Sequence, residues 1–271
     1  SHVMLSIPGP EPLENLDPAA ISPRDHALFL DFDGTIAEIV VHPDAAWPSA
    51  RRTRLVPRLR DGFGGALAIH TGRELGDVEK RFPECRPMAI GAMYGSLRRS
   101  HAGQLTEAAA DLADTFAEIA AHVQAFTAPH RGLLVEEKSA GVSLHYRSRP
   151  ELEGFCFALM KEAIAPYREF IEVVPGKRVF EARPLAVDKG RCIAAFLLEP
   201  PFEGRVPVFA GDDVPDEEGF RFVNARSGIS IKVGEGETAA RFRTTSPATL
   251  AAWFEMVAKA RRLQLGETMV R

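Results

Sequence analysis

A chain of 271 residues is long enough for one or two domains with a substantial core. Its 45% apolar and 26% charged residues are ordinary for a globular protein, and a net charge of −4 leaves no basic footprint for nucleic acid. No apolar run approaches the ~20 residues of a membrane span. Cys85, Cys156 and Cys192 are odd in number and widely spaced, which argues against a disulfide framework or a structural zinc site. Ser1 to Leu5 is too short and too weakly apolar for a secretory signal. The expectation is a protein of the reducing cytoplasm, with neither nucleic acid nor membrane as partner.

In chain order, residues 1–23 read as an N-terminal lead-in, its Gly/Pro-rich part Ile7 to Pro12 mobile. The apolar run Ala27 to Leu30 predicts a buried strand, followed by a helix over Ser49 to Arg60, a strand over Ala66 to His70, a helix over Glu74 to Phe82 and a short strand near Met88 to Ile90. The alternation pauses and resumes with a helix over Lys189 to Leu198, a strand over Val206 to Ala210, a helix over Asp216 to Asn224, a strand over Ile229 to Val233 and a helix over Pro247 to Arg262. Strands alternating with helices in this way predict an α/β, doubly wound parallel sheet. Between the two halves, Leu105 to Ala128 reads as an amphipathic helix, Val135 to Tyr146 as a strand or hairpin, and Pro150 to Ile164 as a second helix. Ile171 to Val174 and Arg178 to Glu181 then read as a strand pair around Pro175-Gly176. The predicted organisation is a discontinuous core, 24–102 with 184–264, into which a small α/β cap, 103–183, is inserted.

Four segments at strand ends carry chemistry. Asp31-Phe32-Asp33-Gly34-Thr35 follows the first strand and delivers two carboxylates one residue apart onto a glycine turn that can bring Asp33 beside Asp31. A carboxylate pair suits phosphoryl transfer, with Asp31 as nucleophile and Asp33 as the acid and then the base. The ordinary alternative is a strand ending in an Asp-Gly turn. Thr71-Gly72-Arg73 ends the second strand, where Thr71 could donate to a phosphate or simply cap a helix. Asp188-Lys189-Gly190 opens a helix with an ammonium that could neutralise a phosphoryl group or merely be solvated. Gly211-Asp212-Asp213 releases consecutive acids that repel each other unless a cation or a proton intervenes, and Mg²⁺ is the oxygen-preferring candidate.

In this order the segments resemble the four signature motifs of the haloacid dehalogenase superfamily of phosphohydrolases, which implies a Rossmann-like core. Glu136-Glu137-Lys138-Ser139-Ala140-Gly141-Val142-Ser143-Leu144-His145-Tyr146-Arg147 resembles the cap signature of the trehalose-6-phosphate phosphatase family. Pro175-Gly176-Lys177-Arg178-Val179-Phe180-Glu181-Ala182-Arg183-Pro184 resembles that family's second cap element, and Gly211 to Phe220 its acidic fourth motif. The resemblance covers residues 24 to 260. It implies Mg²⁺-dependent hydrolysis of trehalose 6-phosphate, a small sugar phosphate, in trehalose biosynthesis, with functional association with a trehalose-6-phosphate synthase. It further implies Mg²⁺ on the Asp31 carboxylate, the Asp33 carbonyl and Asp212, with Asp213 and Asp216 supporting its waters. Thr71, Gly72 and Lys189 would bind the phosphoryl group, and Arg73, Glu136, Lys138, Arg147, Arg178 and Glu181 the sugar.

Three positions depart from the family pattern. Tyr94-Gly95 stands where the family has His-Gly, Pro215 where it has Thr, and Glu38 where Pro is common. Read without the resemblance, Glu136, Lys138 and Arg147 make a cross-strand ion-pair ladder on a wet face. Lys138 and Arg147 are an odd number of residues apart, so a regular strand would set them on opposite faces and a bulge or bend is expected if both reach a ligand. Alternative functions are a phosphatase or phosphomutase for another sugar phosphate and, more distantly, a non-catalytic regulatory module.

Overall fold

The computed structural model describes residues 9–39, 49–81, 83, 88–108 and 110–269. Its strands are β1 (Glu11–Pro12), β2 (His26–Asp31), β3 (Leu67–His70), β4 (Ala89–Ala92), β5 (Leu97–Arg99), β6 (Leu105–Glu107), β7 (Leu134–Lys138), β8 (Gly141–His145), β9 (Ile171–Gly176), β10 (Val179–Pro184), β11 (Val206–Gly211), β12 (Ile229–Val233) and β13 (Phe242–Thr244). The α-helices are α1 (Ala50–Gly62), α2 (Leu75–Glu79), α3 (Ala113–Thr127), α4 (Glu153–Ile164), α5 (Lys189–Phe196), α6 (Glu217–Ala225) and α7 (Pro247–Met269).

Nine strands form one sheet in the order β1-β13-β12-β11-β2-β3-β4-β5-β6, parallel from β1 to β4 and antiparallel over β5 and β6. In β2 every residue from Ala27 to Asp31 is buried, as expected for a parallel strand covered on both faces. Successive side chains show the covering. Phe29 packs against Phe196 of α5, with ring centroids 6.2 Å apart, whereas Leu30 adjoins Leu55 of α1 and Phe254 of α7. Adjacent residues of one strand thus serve different helix layers, which is the doubly wound arrangement. No helix among the described residues is long and apolar enough to cross a membrane.

The second sheet has the order β7-β8-β10-β9 and is antiparallel throughout. Its faces differ because period-2 alternation separates them. Val142 and Leu144 join Phe180 and Ala182 in an apolar cluster with Phe116 and Ile119 of α3 and Leu159 and Met160 of α4. Ser143 and His145 therefore point the other way, and Glu136, directly opposite Ser143, and Glu181, opposite it on the far side, share their face.

Several expectations change. Glu11–Pro12 is an edge strand beside Phe242–Arg243, and Leu13 and Ile21 are buried in the larger core, so that part of the predicted lead-in is fixed. Leu105–Glu107, expected to begin a helix in the cap, pairs with β5 in the larger sheet, and the helix starts only at Ala113. Ala-rich sequence favours helix locally, but the ladder offered by β5 satisfies the backbone first. In the strand pair, Pro175-Gly176 lies inside β9 and the turn falls at Lys177-Arg178, with Arg178 at φ +57°. The hairpin β7-β8 turns at Ser139-Ala140, so it is this turn that removes the parity conflict between Lys138 and Arg147. Phe82 and Cys85 lie outside the described residues.

Phe29 is fully buried beside Phe196 and Phe202. Phe29→Ala is expected to cost about 3–5 kcal/mol through lost burial and an unfilled cavity, and urea unfolding measures it. An unchanged midpoint would refute the packing described.

Candidate active site

Parallel pairing brings the C-terminal ends of β2, β3 and β11 together, with Asp31 beside His70 and Ala210 beside Leu30. Asp31 closes β2, Thr71 and Gly72 follow β3, and Asp212 follows β11. Lys189 is the first residue of α5, whose start is fixed by Asp188 accepting from Arg191 N–H at 2.7 Å. From there the Lys189 ammonium donates to Asp31 Oδ1 at 2.9 Å and to Asp216 Oδ1. Asp216 Oδ2 accepts the backbone N–H groups of Asp212 and Asp213 at 2.8 and 2.9 Å, so one carboxylate organises the whole acidic loop. Gly34, at φ +77°, stands where a Cβ would lie 1.9 Å from Asp212 Oδ2, and only glycine admits that carboxylate.

The electrostatics are strained. One atom from each of Asp31, Asp212 and Asp216 falls within a 4.8 Å group, and all three residues are buried. Burial first, and Asp216 next, push the Asp31 carboxyl well above the usual carboxylate range against the pull of Lys189. The same two causes raise Asp212 to about 7. Burial opposes the charge on Lys189, but Asp216 and Asp31 more than offset it and raise the ammonium above its usual value. Three buried carboxyls thus face one buried ammonium, and a divalent cation of oxygen preference fits the charge and the donor set. Lys232, buried on β12, donates to the Asp212 carbonyl and fixes the loop's backbone.

Asp33 lines the same pocket, but its carboxylate stands outside the buried cluster. Arg73, expected on the sugar, holds it in a bidentate pair, Nε to Oδ2 at 2.9 Å and Nη2 to Oδ1 at 2.7 Å. The carboxyls grouped with Asp31 are those of Asp212 and Asp216. Thr71 is fully buried and its hydroxyl oxygen accepts from Arg73 N–H at 3.0 Å, which leaves the hydroxyl proton to donate. Gly72 gives room to Tyr94, since a Cβ would lie 2.7 Å from the phenol oxygen. Burial, then Glu181, drive the Tyr94 phenol well above its usual value, so it stays neutral, as hydrogen-bonding group and ring.

The polar face of the second sheet closes the pocket with Glu136, Lys138, His145 and Glu181, and Arg147 joins them from beyond β8. Lys138 reaches Gly72 O at 3.1 Å and Glu181 Oε2 at 3.5 Å. His145 Nε2 contacts Glu136 Oε1. Burial works against the charge on Glu136, but His145 and Lys138 more than offset it and hold the carboxyl at about 2. Of the residues of the ladder alternative, Glu136 meets His145 and Lys138 meets Glu181, whereas Arg147 donates to the Lys177 carbonyl at 3.1 Å, and all three line the pocket.

Arg178 is exposed in its turn and does not line the pocket. Its neighbour Lys177 does, donating its backbone N–H to Asp213 Oδ2 at 2.7 Å and setting its ammonium 3.4 Å from Asp212 Oδ2. Lys177, His145 and Lys232 were not singled out from the sequence. For His145 and Lys232 the available signal was a polar residue at an alternating strand position. Pro215 lines the pocket, whereas Glu38 is exposed and paired with Arg52 at 3.2 Å.

A parallel sheet whose strand ends gather a buried carboxylate, a hydroxyl and an acidic loop beside a helix opening at Lys189 defines the class: an α/β fold of haloacid dehalogenase type. A family model described as trehalose-phosphatase matches residues 29–249. The chain is 38% identical over 208 residues to a probable trehalose-phosphate phosphatase of Sinorhizobium fredii, covering 77% of each chain. It is 34% identical over 241 residues to the trehalose-6-phosphate phosphatase of Escherichia coli, covering 87% of each. The solved C-terminal domain of the C. albicans trehalose-6-phosphate phosphatase shares the fold, with TM-score 0.79 at 21% identity over 94% of this chain and 99% of that one. The chain belongs to the trehalose-phosphatase family.

The raised Asp212 has a consequence for stability. A carboxyl whose folded value, about 7, lies above its unfolded value near 3.8 binds protons more tightly when folded. Stability is then lost as pH rises from about 4 through about 7. In EDTA, Asp212→Asn is expected to raise Tm at pH 8 by an amount worth a few kcal/mol, on the order of the shift removed, and to change it little at pH 4. Thermal melts at the two pH values check this, and an equal change at both would contradict it.

Proposed function

We propose that this chain hydrolyses trehalose 6-phosphate to trehalose and inorganic phosphate. The observation that carries the reading is one pocket with two walls, a carboxylate and lysine cluster on the core side and a polar sheet face on the other. A sugar presents many hydroxyls, and charged side chains on that face suit them. The names of the S. fredii and E. coli relatives support the choice of sugar. We read residues 24–102 and 184–264, together with Leu105–Glu107 that pairs into the larger sheet, as the catalytic core and the rest of 103–183 as a cap that shields the phosphate from bulk water.

In this reading an Asp31 oxygen attacks phosphorus while the bond from phosphorus to the sugar oxygen breaks. Asp33 gives that oxygen its proton, and an aspartyl-phosphate forms on Asp31. Asp33 then takes a proton from the attacking water, phosphate leaves and both carboxyls return to their starting state. Lys189 neutralises Asp31 and, with Thr71 and the Gly72 N–H, binds the phosphoryl oxygens. Asp31, Asp212 and the Asp33 carbonyl would hold Mg²⁺, with Asp213 and Asp216 behind them. Bound there, the ion would offset charge on the transferring oxygens. Glu136, Lys138, Arg147 and Glu181 are assigned to the sugar. The described cysteines, Cys156 and Cys192, are free and buried, in keeping with work in the cytoplasm on a substrate supplied by a trehalose-6-phosphate synthase.

Phosphate release from a panel of sugar phosphates, with and without Mg²⁺, tests the reading. Trehalose 6-phosphate should be preferred, EDTA should stop turnover and Mg²⁺ restore it, and Asp31→Asn should abolish it with the fold intact. Preference for another ester, or an isomerised sugar phosphate as product, would replace the assignment. Lys138→Ala and Arg147→Ala should each lower kcat/KM for trehalose 6-phosphate by about tenfold or more, from loss of a charged hydrogen bond, chiefly through KM. p-Nitrophenyl phosphate, which lacks the sugar, should be affected far less.

A further inference from the structure

The two hairpin turns of the smaller sheet rest on different parts of the core. The turn at Lys177-Arg178 meets the acidic loop. The turn at Ser139-Ala140 meets the segment that follows β3. There the Ser139 N–H donates to Glu74 Oε1 at 2.9 Å, and the preceding residue, Lys138, donates its ammonium to Gly72 O at 3.1 Å. Ser139 Oγ donates to Met93 Sδ at 3.4 Å, so the core holds the turn from a second side. Glu74 is an unusual choice for its own place in the chain. It stands at the N-cap of α2, where Ser, Thr, Asp and Asn are preferred, and its side chain caps nothing there. The carboxylate crosses instead to a turn 65 residues further on. It is exposed, beside an open groove that it lines with Gly76, Lys80 and Glu137. Neither burial nor the local helix accounts for its reach.

We propose that Glu74 is a positioning residue for the sugar ester: by fixing the turn at Ser139 it presets the Lys138 ammonium, and so ties the polar face of the smaller sheet to the Thr71-Gly72 segment beside it in the chain. The proposal deepens the phosphatase reading above and rests on it. Lys138 shows what the contact fixes. Its side chain is 9% exposed, and Gly72 O at 3.1 Å and Glu181 Oε2 at 3.5 Å engage the ammonium. An ammonium has three donors, so one is left for the pocket that Lys138 lines. A lysine side chain loses much rotamer freedom when it is held, and a ligand that had to order it would bind more weakly. With the turn anchored, that ordering precedes binding. Glu74 lies outside the lining of the pocket, so it acts through Lys138 and leaves Asp31 and Lys189 untouched.

The test compares trehalose 6-phosphate with p-nitrophenyl phosphate on the Mg²⁺-loaded chain. Glu74→Ala should raise KM for the sugar ester about five- to tenfold, the worth of one ordinary hydrogen bond, while kcat stays within about twofold. Both constants for the nitrophenyl ester should stay within about twofold, since it has no sugar for Lys138 to meet. Glu74→Gln, which keeps an acceptor oxygen, should recover most of the loss. In a Lys138→Ala background, Glu74→Ala should add less than about twofold, because the two residues act as one unit. Amide hydrogen exchange in the ligand-free chain reads the contact itself: Ser139 should exchange about fivefold faster or more in Glu74→Ala and near the wild-type rate in Glu74→Gln. An unchanged KM, equal losses on both esters, full additivity with Lys138→Ala, or an unchanged Ser139 rate would each overturn the proposal. A wild-type chain inert toward trehalose 6-phosphate but active on another alkyl phosphate would fault the substrate reading alone. The kinetic arms would then be read on that ester, and the exchange arm needs no substrate.

Discussion

The bonds from the buried Lys189 ammonium to Asp31 and Asp216 are the constraint on which the rest of the pocket hangs. They join positions 158 and 27 residues apart in the chain and so fix the loop after β2 and the loop after β11 relative to α5. A buried ion pair is weak evidence for stability, because desolvation takes back much of the attraction. It is better evidence for geometry. Remove the ammonium and the two carboxylates are left buried and unbalanced, a cost the core would have to carry. Burial first, and the neighbouring Asp216 carboxylate next, raise Asp31 and Asp212. Positioned charge supplies most of what phosphoryl transfer needs.

Close approach is the second requirement. Gly34 and Gly72 each occupy a place where a methyl group would strike a functional side chain, Asp212 in one case and Tyr94 in the other. Tyr94 is the more informative, because the family pattern has a histidine there. Its ring lies 5.2 Å from the Arg183 guanidinium carbon and 5.9 Å from the Lys189 ammonium. A neutral ring under two cations can attract both without adding charge to the pocket. Arg183, itself fully buried, is held by Glu172 of β9 and Glu218 of α6, so an ion pair that ties the smaller sheet to α6 runs beside this tyrosine.

The smaller sheet turns one physical rule into two jobs. Alternation sends Val142 and Leu144 into the apolar layer under α3 and α4 and sends Ser143 and His145 toward the pocket. Ser143 sits between Glu136 and Glu181 across three strands. Lys177, at the tip of β9 and β10, carries this sheet's own cation to Asp212. The contact made there between the turn of this sheet and the acidic loop is therefore electrostatic.

The sequence alone determined the core of this arrangement. An apolar run ending in Asp31 and a glycine turn, a helix opening at Lys189 and a strand releasing Asp212 are local patterns, and parallel strands must bring their ends to one edge of the sheet, so Asp31, the lysine and the acidic loop could be placed by reading along the chain. What only the tertiary structure decided depends on register and on partners far apart. Arg73 and Asp33 are 40 residues apart and Lys177 and Asp212 are 35 apart, and neither pairing has a local signature. The turn falls two residues later than expected, which takes Arg178 out of its strand and leaves it exposed, while Lys177 beside it lines the pocket. The pairing of Leu105–Glu107 with β5 and of Glu11–Pro12 with β13 likewise overrode local propensity, since a backbone ladder is satisfied by whichever strand lies alongside, and the fold chooses that neighbour.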